Sequence, residues 1–402
     1  MGESILPILR KQVEYIYTIK FYKEKMDRAG VRPNDIKTLD DFTQLPFTSP
    51  VEMISELKKS PSSNSFYSES VTRINFSPSG KELYPIFHTN NDLERMHKVC
   101  SKTLTAAGLK QSDICAVTFG YHLFIAGLFY QGQLEAFGAK VIPLGPGESE
   151  RAWKVINDYG VSVLISNPSF AVKLASKGLP TIRVLFVGGE PFSSVEGYAE
   201  KIREAFGRDI TIIDSYSMAL CMPVARSCQY ESGLHIVDDF VYAEVVDPVT
   251  GLPVKPGEKG ELVLTHLYKE AAPLLRYRTG DLTVIENKAC SCGRSMTLPK
   301  GIIGRTDEMV KVKGVKFWPS QIATILQGFS FATGNYRVVF KTKRGVDFVE
   351  LFIEGSEYSS EDVEKLEHVL RRDTLVKFNE IVIVEKLEPG PRVVDERNTM
   401  PS

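Results

Sequence analysis

Four residues of this 402-residue chain offer ligand atoms suited to a soft metal: Cys228 and His235 with six residues between them, and Cys290 and Cys292 flanking one serine. Three thiols and an imidazole make a closed tetrahedral set for a structural Zn²⁺, and Gly293 after the last cysteine suits the tight turn of a metal knuckle. Such a set leaves no position for a reactive water. Read without a metal, the same residues are two exposed thiols on a loop and an unrelated cysteine and histidine. A second constellation is Val187-Gly188-Gly189-Glu190-Pro191 after an apolar run. Its two glycines let backbone approach a flat ligand closely, or they make an ordinary strand-to-helix turn. A third is the pair of strings LLRYRTGDL (Leu274–Leu282) and GRTDEMVKVKG (Gly304–Gly314), which concentrate guanidinium and carboxylate groups in short turns. Either string alone reads as surface punctuation.

The elements that must hold these residues follow from periodicity. Residues 1–70 read as helical and loop-rich, with KKSPSSNSFYSES as a surface loop. From about 71 to 215, short β-rich runs (ICAVTFG, AKVIPLG, VSVLISN, IRVLFVGGE, ITIIDSY) alternate with helical stretches. This alternation predicts a parallel sheet flanked by helices, with ligands collecting at the carboxyl ends of its strands. From about 235 to 285, strands joined by DPVTG and KPGEKG predict an antiparallel or barrel-like subdomain, and the last ~90 residues read as a small α+β domain.

Composition sets the bounds. With 43% hydrophobic and 25% charged residues the chain is a folded protein, and a net charge of -1 provides no field to gather nucleic acid or an anionic membrane. No apolar run approaches the ~20 residues of a membrane span, and the N-terminus lacks the pattern of a secretory signal, so a cytoplasmic protein is expected. Cys100, Cys115 and Cys221 read as small buried residues. His88 lies where a ligand is within reach, whereas His97, His266 and His368 read as polar surface.

The order and interval of the two arginine-bearing strings resemble the adenylate-forming superfamily, and specifically its phenylacetate–CoA ligase branch, whose members carry Arg-Tyr-Arg-Thr-Gly-Asp-Leu followed by Gly-Arg-Thr-Asp-Asp-Met. The similarity runs from about residue 71 to the end and takes in FGYHLFIAGL, VGGEPF, DSY and GVKFWPSQI. It implies a large N-terminal parallel-sheet α/β domain over 1–306 with a β-rich subdomain at about 225–300, and a small mobile α+β C-terminal domain over 307–402. The activity implied is conversion of a carboxylic acid and ATP to an acyl adenylate and pyrophosphate, then transfer of the acyl group to CoA, with Mg²⁺ assisting. A homodimer is compatible with this reading.

Carried over by position, Asp281 accepts hydrogen bonds from the ribose hydroxyls, Arg305 meets the nucleotide, and Asp307 is the hinge between domains. The segment Gly188, Gly189 and Glu190, together with Asp214, Ser215 and Tyr216, flanks the adenine. Tyr121, His122 and Phe124 line the acyl or aryl pocket, and the Cys/His set matches ligand types common in the branch. Three departures touch adenylation. The phosphate loop reads FSPSGK, where Ser77, Ser79, Gly80 and Lys81 remain but Pro78 removes a donor. Leu220 stands where the family has a Mg²⁺-binding glutamate, and an apolar residue cannot ligate a hard cation. No lysine follows Lys386, where the family has a late catalytic one, so Lys81 and Arg305 are the candidate catalytic cations and Arg392 a further substitute. The alternative to a working ligase is a relative that binds a nucleotide or acyl ligand without efficient adenylation.

Overall fold

Val163–Ser166 and Val184–Val187 are buried at every residue, as strands are when helices cover both faces of their sheet. A computed structural model describes all of the chain except Met1, Gly80, Lys81, Pro191, Glu196, 307–309, Lys313, Gly314, Trp318, Arg344, Gly345, Pro389 and 398–402. The chain divides into two compact units. One comprises Met1–Glu190, Ile202–Thr279 and Thr283–Gly301, and the other Pro191–Lys201, Gly280–Leu282 and Ile302–Ser402.

In the first unit an antiparallel pair, β1 (Val71–Ser79) and β2 (Glu82–Thr89), precedes the main sheet. There β3 (Ile114–Val117), β4 (Lys140–Pro143), β5 (Val163–Ser166), β6 (Val184–Val187) and β7 (Thr211–Met218) run parallel in the order β4-β3-β5-β6-β7. The connections carry helices such as Ala126–Phe137 and Pro168–Ala175. Beyond β7 the sheet turns antiparallel through β8 (Cys221–Arg226) and β9 (Leu234–Ile236). Next in the chain, β10 (Val241–Val246), β11 (Lys259–His266) and β12 (Tyr277–Val284) lie side by side. Strands β13 (Glu286–Asn287) and β14 (Met296–Leu298) then return to β9 and complete the nine-stranded sheet.

In the second unit β15 (Gly304–Arg305) pairs with Asp281 and Leu282 of β12, and β16 (Val310–Val312) pairs with β17 (Val315–Phe317). A mixed sheet follows from β18 (Ala332–Lys343), β19 (Val346–Gly355), β20 (Glu380–Val384) and β21 (Val393–Asp395), ordered β20-β19-β18-β21. The helix Ser360–Thr374 is specified locally. Ser359 and Asp362 form a reciprocal capping box, acids occupy the first turn, and Arg371 and Arg372 the last. Its Leu366 and Leu370, one turn apart, join Ile322, Leu326, Phe340 and Leu351 in that unit's core.

The first arginine of the RYRTGD string is structural. Arg276 is almost fully buried, its guanidinium forked onto Glu244 at 2.9 and 3.1 Å, with Nη1 donating to the carbonyls of Thr43 and Leu45 and the plane lying over Phe47. The second, Arg278, pairs with Glu261. Together with Thr48, which exchanges backbone hydrogen bonds with Arg276 and Arg278, they tie the N-terminal segment to the β10–β12 strands. Two histidines depart from expectation. His266 is fully buried because β11 is covered on both faces, and the His97 ring fills the space a side chain on Gly132 would need. His368 is exposed. No helix among the described residues is long and apolar enough to cross a membrane.

Replacing Arg276 strands a buried carboxylate and two carbonyls. Arg276→Ala is expected to cost about 3–5 kcal/mol in urea denaturation, and adding Glu244→Gln to restore part of it. A cost under ~1 kcal/mol for the single change would contradict the anchoring role.

Candidate functional site

Strand order creates the crevice. The chain leaves β3 toward β4 on one side and leaves β5 toward β6 on the other, so the carboxyl ends of β3 and β5 diverge at a switch point, where open α/β sheets bind ligands. The loop after β3 carries Tyr121, His122 and Phe124. Thr118 fastens its start by donating from N–H and Oγ1 to the Ile165 carbonyl, each at 3.0 Å. Its far end is held where the Leu123 carbonyl accepts from Phe76 N–H at 2.8 Å and Asn75 Nδ2 at 3.3 Å. A side chain on Gly127 would run into the Gly120 carbonyl, so that close approach requires glycine. His122 is exposed and Phe124 is 44% exposed, which removes these two from the packed core. The buried Tyr121 hydroxyl has no partner among the described residues. Burial, with Glu135 nearby, pushes its pKa up to about 12, so it stays a donor.

The loop after β6 meets the same crevice. Gly189 has a left-handed φ of 79° and approaches the side chains of Asn167 and Phe119, while a Cβ on Gly188 would lie 3.1 Å from the Ser215 carbonyl. Glu190 accepts from Ser169 N–H and Oγ at 3.1 and 2.7 Å at the start of the helix Pro168–Ala175, so its carboxylate caps a helix. Asp214 and Ser215, both buried on β7, are clamped by the end of β8 and the residue after it. Asp214 N–H donates to Ser227 Oγ at 2.8 Å, Ser227 N–H returns to the Asp214 carbonyl at 2.9 Å, and Arg226 Nε donates to Ser215 Oγ at 3.1 Å. Arg226 is 1% exposed and also reaches Thr103 Oγ1. Asn167, Phe119 and Arg226 were not legible as site residues, since each acts only through a strand neighbour.

Phe76–Ser79 belong to β1, with Ser77 opposite Tyr84 and Ser79 opposite Glu82. Gly80, Lys81 and Asp307 lie outside the described residues. Leu220 is buried in the turn between β7 and β8, and that position offers no oxygen ligand to a cation. In the second unit, Arg305 Nη1 donates to Asp281 Oδ1 at 2.7 Å, and Thr306 N–H donates to the Gly280 carbonyl at 2.7 Å. Gly280 has φ 75°, and a side chain there would collide with the Arg305 guanidinium.

Fold and register bring the four metal-type ligands together: the donor atoms of Cys228, His235, Cys290 and Cys292 all lie within 4.8 Å of one another. Cys228 and Cys290 sulfurs are 3.6 Å apart, and Cys292 Sγ is 3.4 Å from His235 Nε2. A tetrahedral zinc with ~2.3 Å Zn–S bonds sets neighbouring ligands ~3.7 Å apart. Burial, with Arg294 nearby, pulls His235 down to about 4, which keeps the imidazole neutral as a ligand must be.

Behind the β7–β8 turn lies a buried polar cluster. Lys269 Nζ is 3.3 Å from Asp92 Oδ2 and donates to the Phe87 carbonyl at 3.0 Å, with His88 Nδ1 at 3.4 Å. Asp92 also accepts from the N–H groups of Glu270 and Ala271. Burial, then Lys269 and Arg73, hold His88 well below the usual imidazole range, and burial with Arg73 lowers His97 to about 4.

Known proteins resemble this chain in sequence and fold. The model for AMP-binding enzymes matches residues 88–266, and that for the C-terminal domain of AMP-binding enzymes matches 314–389. Phenylacetate-coenzyme A ligase of Thermus thermophilus is 34% identical over 365 residues, 87% of this chain and 80% of that protein. The enzyme of that name from Escherichia coli is 31% identical over 357 residues, 85% and 79% of the two chains. Among solved structures, 2-hydroxyisobutyryl-CoA ligase in the postadenylation state in complex with 2-HIB-AMP shares the fold, with a TM-score of 0.83 at 24% identity over 98% of this chain and 90% of that one. The chain therefore belongs to the adenylate-forming, AMP-binding enzymes. Within that family it falls in the branch of the phenylacetate–coenzyme A ligases.

Neutral buried histidines make stability depend on pH. Unfolded imidazoles bind a proton near pH ~6.5 and these do so only at lower pH, so the unfolded state holds more protons in between and stability falls as pH drops. Melting temperature is expected to decline from about pH 6.5 toward pH 4, and His97→Gln to flatten part of that decline. An unchanged slope in the variant would show that His97 titrates normally in the folded protein.

Proposed function

We propose that the chain activates a small carboxylic acid with ATP and hands the acyl group to CoA. In the first step a carboxylate oxygen attacks the α-phosphorus and the bond to the β-phosphate oxygen breaks, giving acyl adenylate and pyrophosphate. In the second the CoA sulfur attacks the acyl carbon, AMP leaves, and the thiol proton passes to solvent or a base. The observation that carries this reading is the Asp281–Arg305 pair. Asp281 is 9% exposed, and its carboxylate accepts from Arg305 Nη1 at 2.7 Å. On this reading the carboxylate, an acceptor at both oxygens, meets the ribose hydroxyls, and Arg305 serves the nucleotide as its cation.

On the same reading Gly188, Gly189 and the Asp214–Tyr216 strand end flank the adenine, Tyr121, His122 and Phe124 flank the acid, and Ser77, Ser79, Gly80 and Lys81 attend the phosphates. The hinge at Asp307, dividing 1–306 from 307–402, belongs to this proposal too. Leu220 provides no ligand for Mg²⁺, and no protein-bound Mg²⁺ is assigned. The alternative of a relative that binds without adenylating draws no support from the curated relatives, which are all named as ligases. Cys228, His235, Cys290 and Cys292 suit a structural Zn²⁺, which when bound supplies a cross-link between the end of β8, the start of β9 and the loop before β14.

Pyrophosphate release across a panel of aryl and aliphatic acids tests the ligase. Asp281→Ala is expected to lower kcat/KM for ATP by about 10²-fold, since hydrogen bonds to a charged acceptor contribute ~1.5–3 kcal/mol each. Release unaffected by that change would refute the assignment of Asp281. For the metal, elemental analysis should find one zinc per chain, and Cys290→Ser with Cys292→Ser should abolish it and lower stability by at least ~3 kcal/mol. Because Cys228 follows the clamp on Asp214 and Ser215, nucleotide affinity should weaken as well; metal-free protein of full stability would remove the site.

A further inference from the structure

The cluster behind the β7–β8 turn contains donors that the chain itself leaves unsatisfied. His88 is 3% exposed and His266 is fully buried, and neither Nε2 has a hydrogen-bond partner among the described residues. Their other nitrogens are engaged: Leu274 N–H donates to His266 Nδ1 at 2.9 Å, and Lys269 Nζ lies 3.4 Å from His88 Nδ1. A neutral imidazole that accepts at Nδ1 carries its proton on Nε2, so two N–H donors stand unpaired in the interior. Each costs about 1–3 kcal/mol when left so, and native interiors seldom keep such groups without a ligand or a water. Both rings line one internal cavity of about 10 Å³, room for a single water-sized group. Met96, Ile125, Leu220, Met222 and Phe240 supply apolar wall.

The chemistry of the occupant follows from this lining. Asp92 answers the charge on Lys269, so the two imidazoles call for an uncharged acceptor. A carbonyl oxygen has two lone pairs for two donors and asks for no acceptor in return. The cavity also adjoins the segment assigned to the acid. Ile125, a lining residue, directly follows Phe124. Met96 and Met222 in the wall are able to repack around the end of an aryl or medium-chain acid.

We propose that this cavity is the far end of the acid's pocket, where His88 and His266 select a carboxylic acid bearing an uncharged oxygen acceptor, best a carbonyl, remote from its carboxylate. The inference rests on the reading that Tyr121–Phe124 flank the acid. Its test uses matched pairs of aryl and straight-chain acids, each with a ketone oxygen at graded distances from the carboxylate or a methylene in its place. Pyrophosphate release is measured for every pair, and binding of the corresponding acyl sulfamoyl adenosines by calorimetry, which needs no turnover. At least one ketone acid should exceed its methylene partner by ~100-fold or more in kcat/KM. His88→Leu and His266→Leu, checked for folding by thermal melting, should each erase most of that ratio. Equal use of the partners throughout would mean that a buried water satisfies the donors, and would overturn the proposal. Should the leucine variants fail to fold, the wild-type ratios decide alone. If no acid releases pyrophosphate yet calorimetry keeps the ketone preference, the ligase reading fails and the subsite stands; no preference in either measurement removes the subsite whatever the turnover.

Discussion

A parallel sheet covered by helices on both faces has no polar surface to spare. It meets a ligand only at the carboxyl ends of its strands, where backbone groups run out of ladder partners and must be satisfied from elsewhere. In this chain the supply comes from polar side chains, Thr118 on the Ile165 carbonyl, Ser227 on the Asp214 N–H and Asn75 on the Leu123 carbonyl, while Arg226 holds the Ser215 hydroxyl. Each contact fixes a loop or strand end that faces the crevice. A buried guanidinium with hydroxyl partners is expensive to desolvate. Its retention at Arg226 therefore fits a need for fixed geometry at Ser215 more than a need for stability.

The electrostatics of adenylation turn on how few cations the described residues bring. The two arginines ahead of Thr279 are engaged by Glu244 and Glu261, whereas Arg305, from the second string, stands beside Asp281. Leu220 reinforces the point, since a buried apolar side chain at that turn neither ligates a hard cation nor repels a nucleotide that arrives with its own. What the leucine does provide is wall for the cavity that His88 and His266 share.

The parallel sheet was readable because each of its strands is a short apolar run between turn residues, and runs such as Val184–Val187 need no tertiary information. The grouping of Cys228, His235, Cys290 and Cys292 was readable because few residue types suit such a set and Cys290 and Cys292 are nearly adjacent. The Lys269–Asp92–His88 cluster was not, because Lys269 lies some 180 positions along the chain from the other two. His266 looked like surface because a histidine among Thr, Leu and Tyr resembles the outward side of a strand, and burial of both faces of β11 is a tertiary fact. The FSPSGK string has a composition that suits a phosphate loop; its described part, Phe76–Ser79, pairs with β2, and Phe76 spends its N–H on the loop that carries Tyr121.

The Cys/His corner and the crevice are consecutive along one strand. Reading along β8 and just past it, Arg226 holds Ser215, Ser227 holds Asp214, and Cys228 is a metal-type ligand. Arg294, two residues after Cys292, donates to the carbonyls of His235 and Ile236, closing the corner from the other side. A cross-link at Cys228 would therefore restrain the two residues whose side chains set the position of the β7 end, at a distance of one and two peptide units. Loss of the cross-link would free the end of β8 to fray, and the first hydrogen bonds to loosen would be those on Asp214 and Ser215. Placed elsewhere on the same sheet, an identical metal site would add stability without any purchase on the ligand. At the end of β8, stability and the geometry of the binding strand are a single mechanical property.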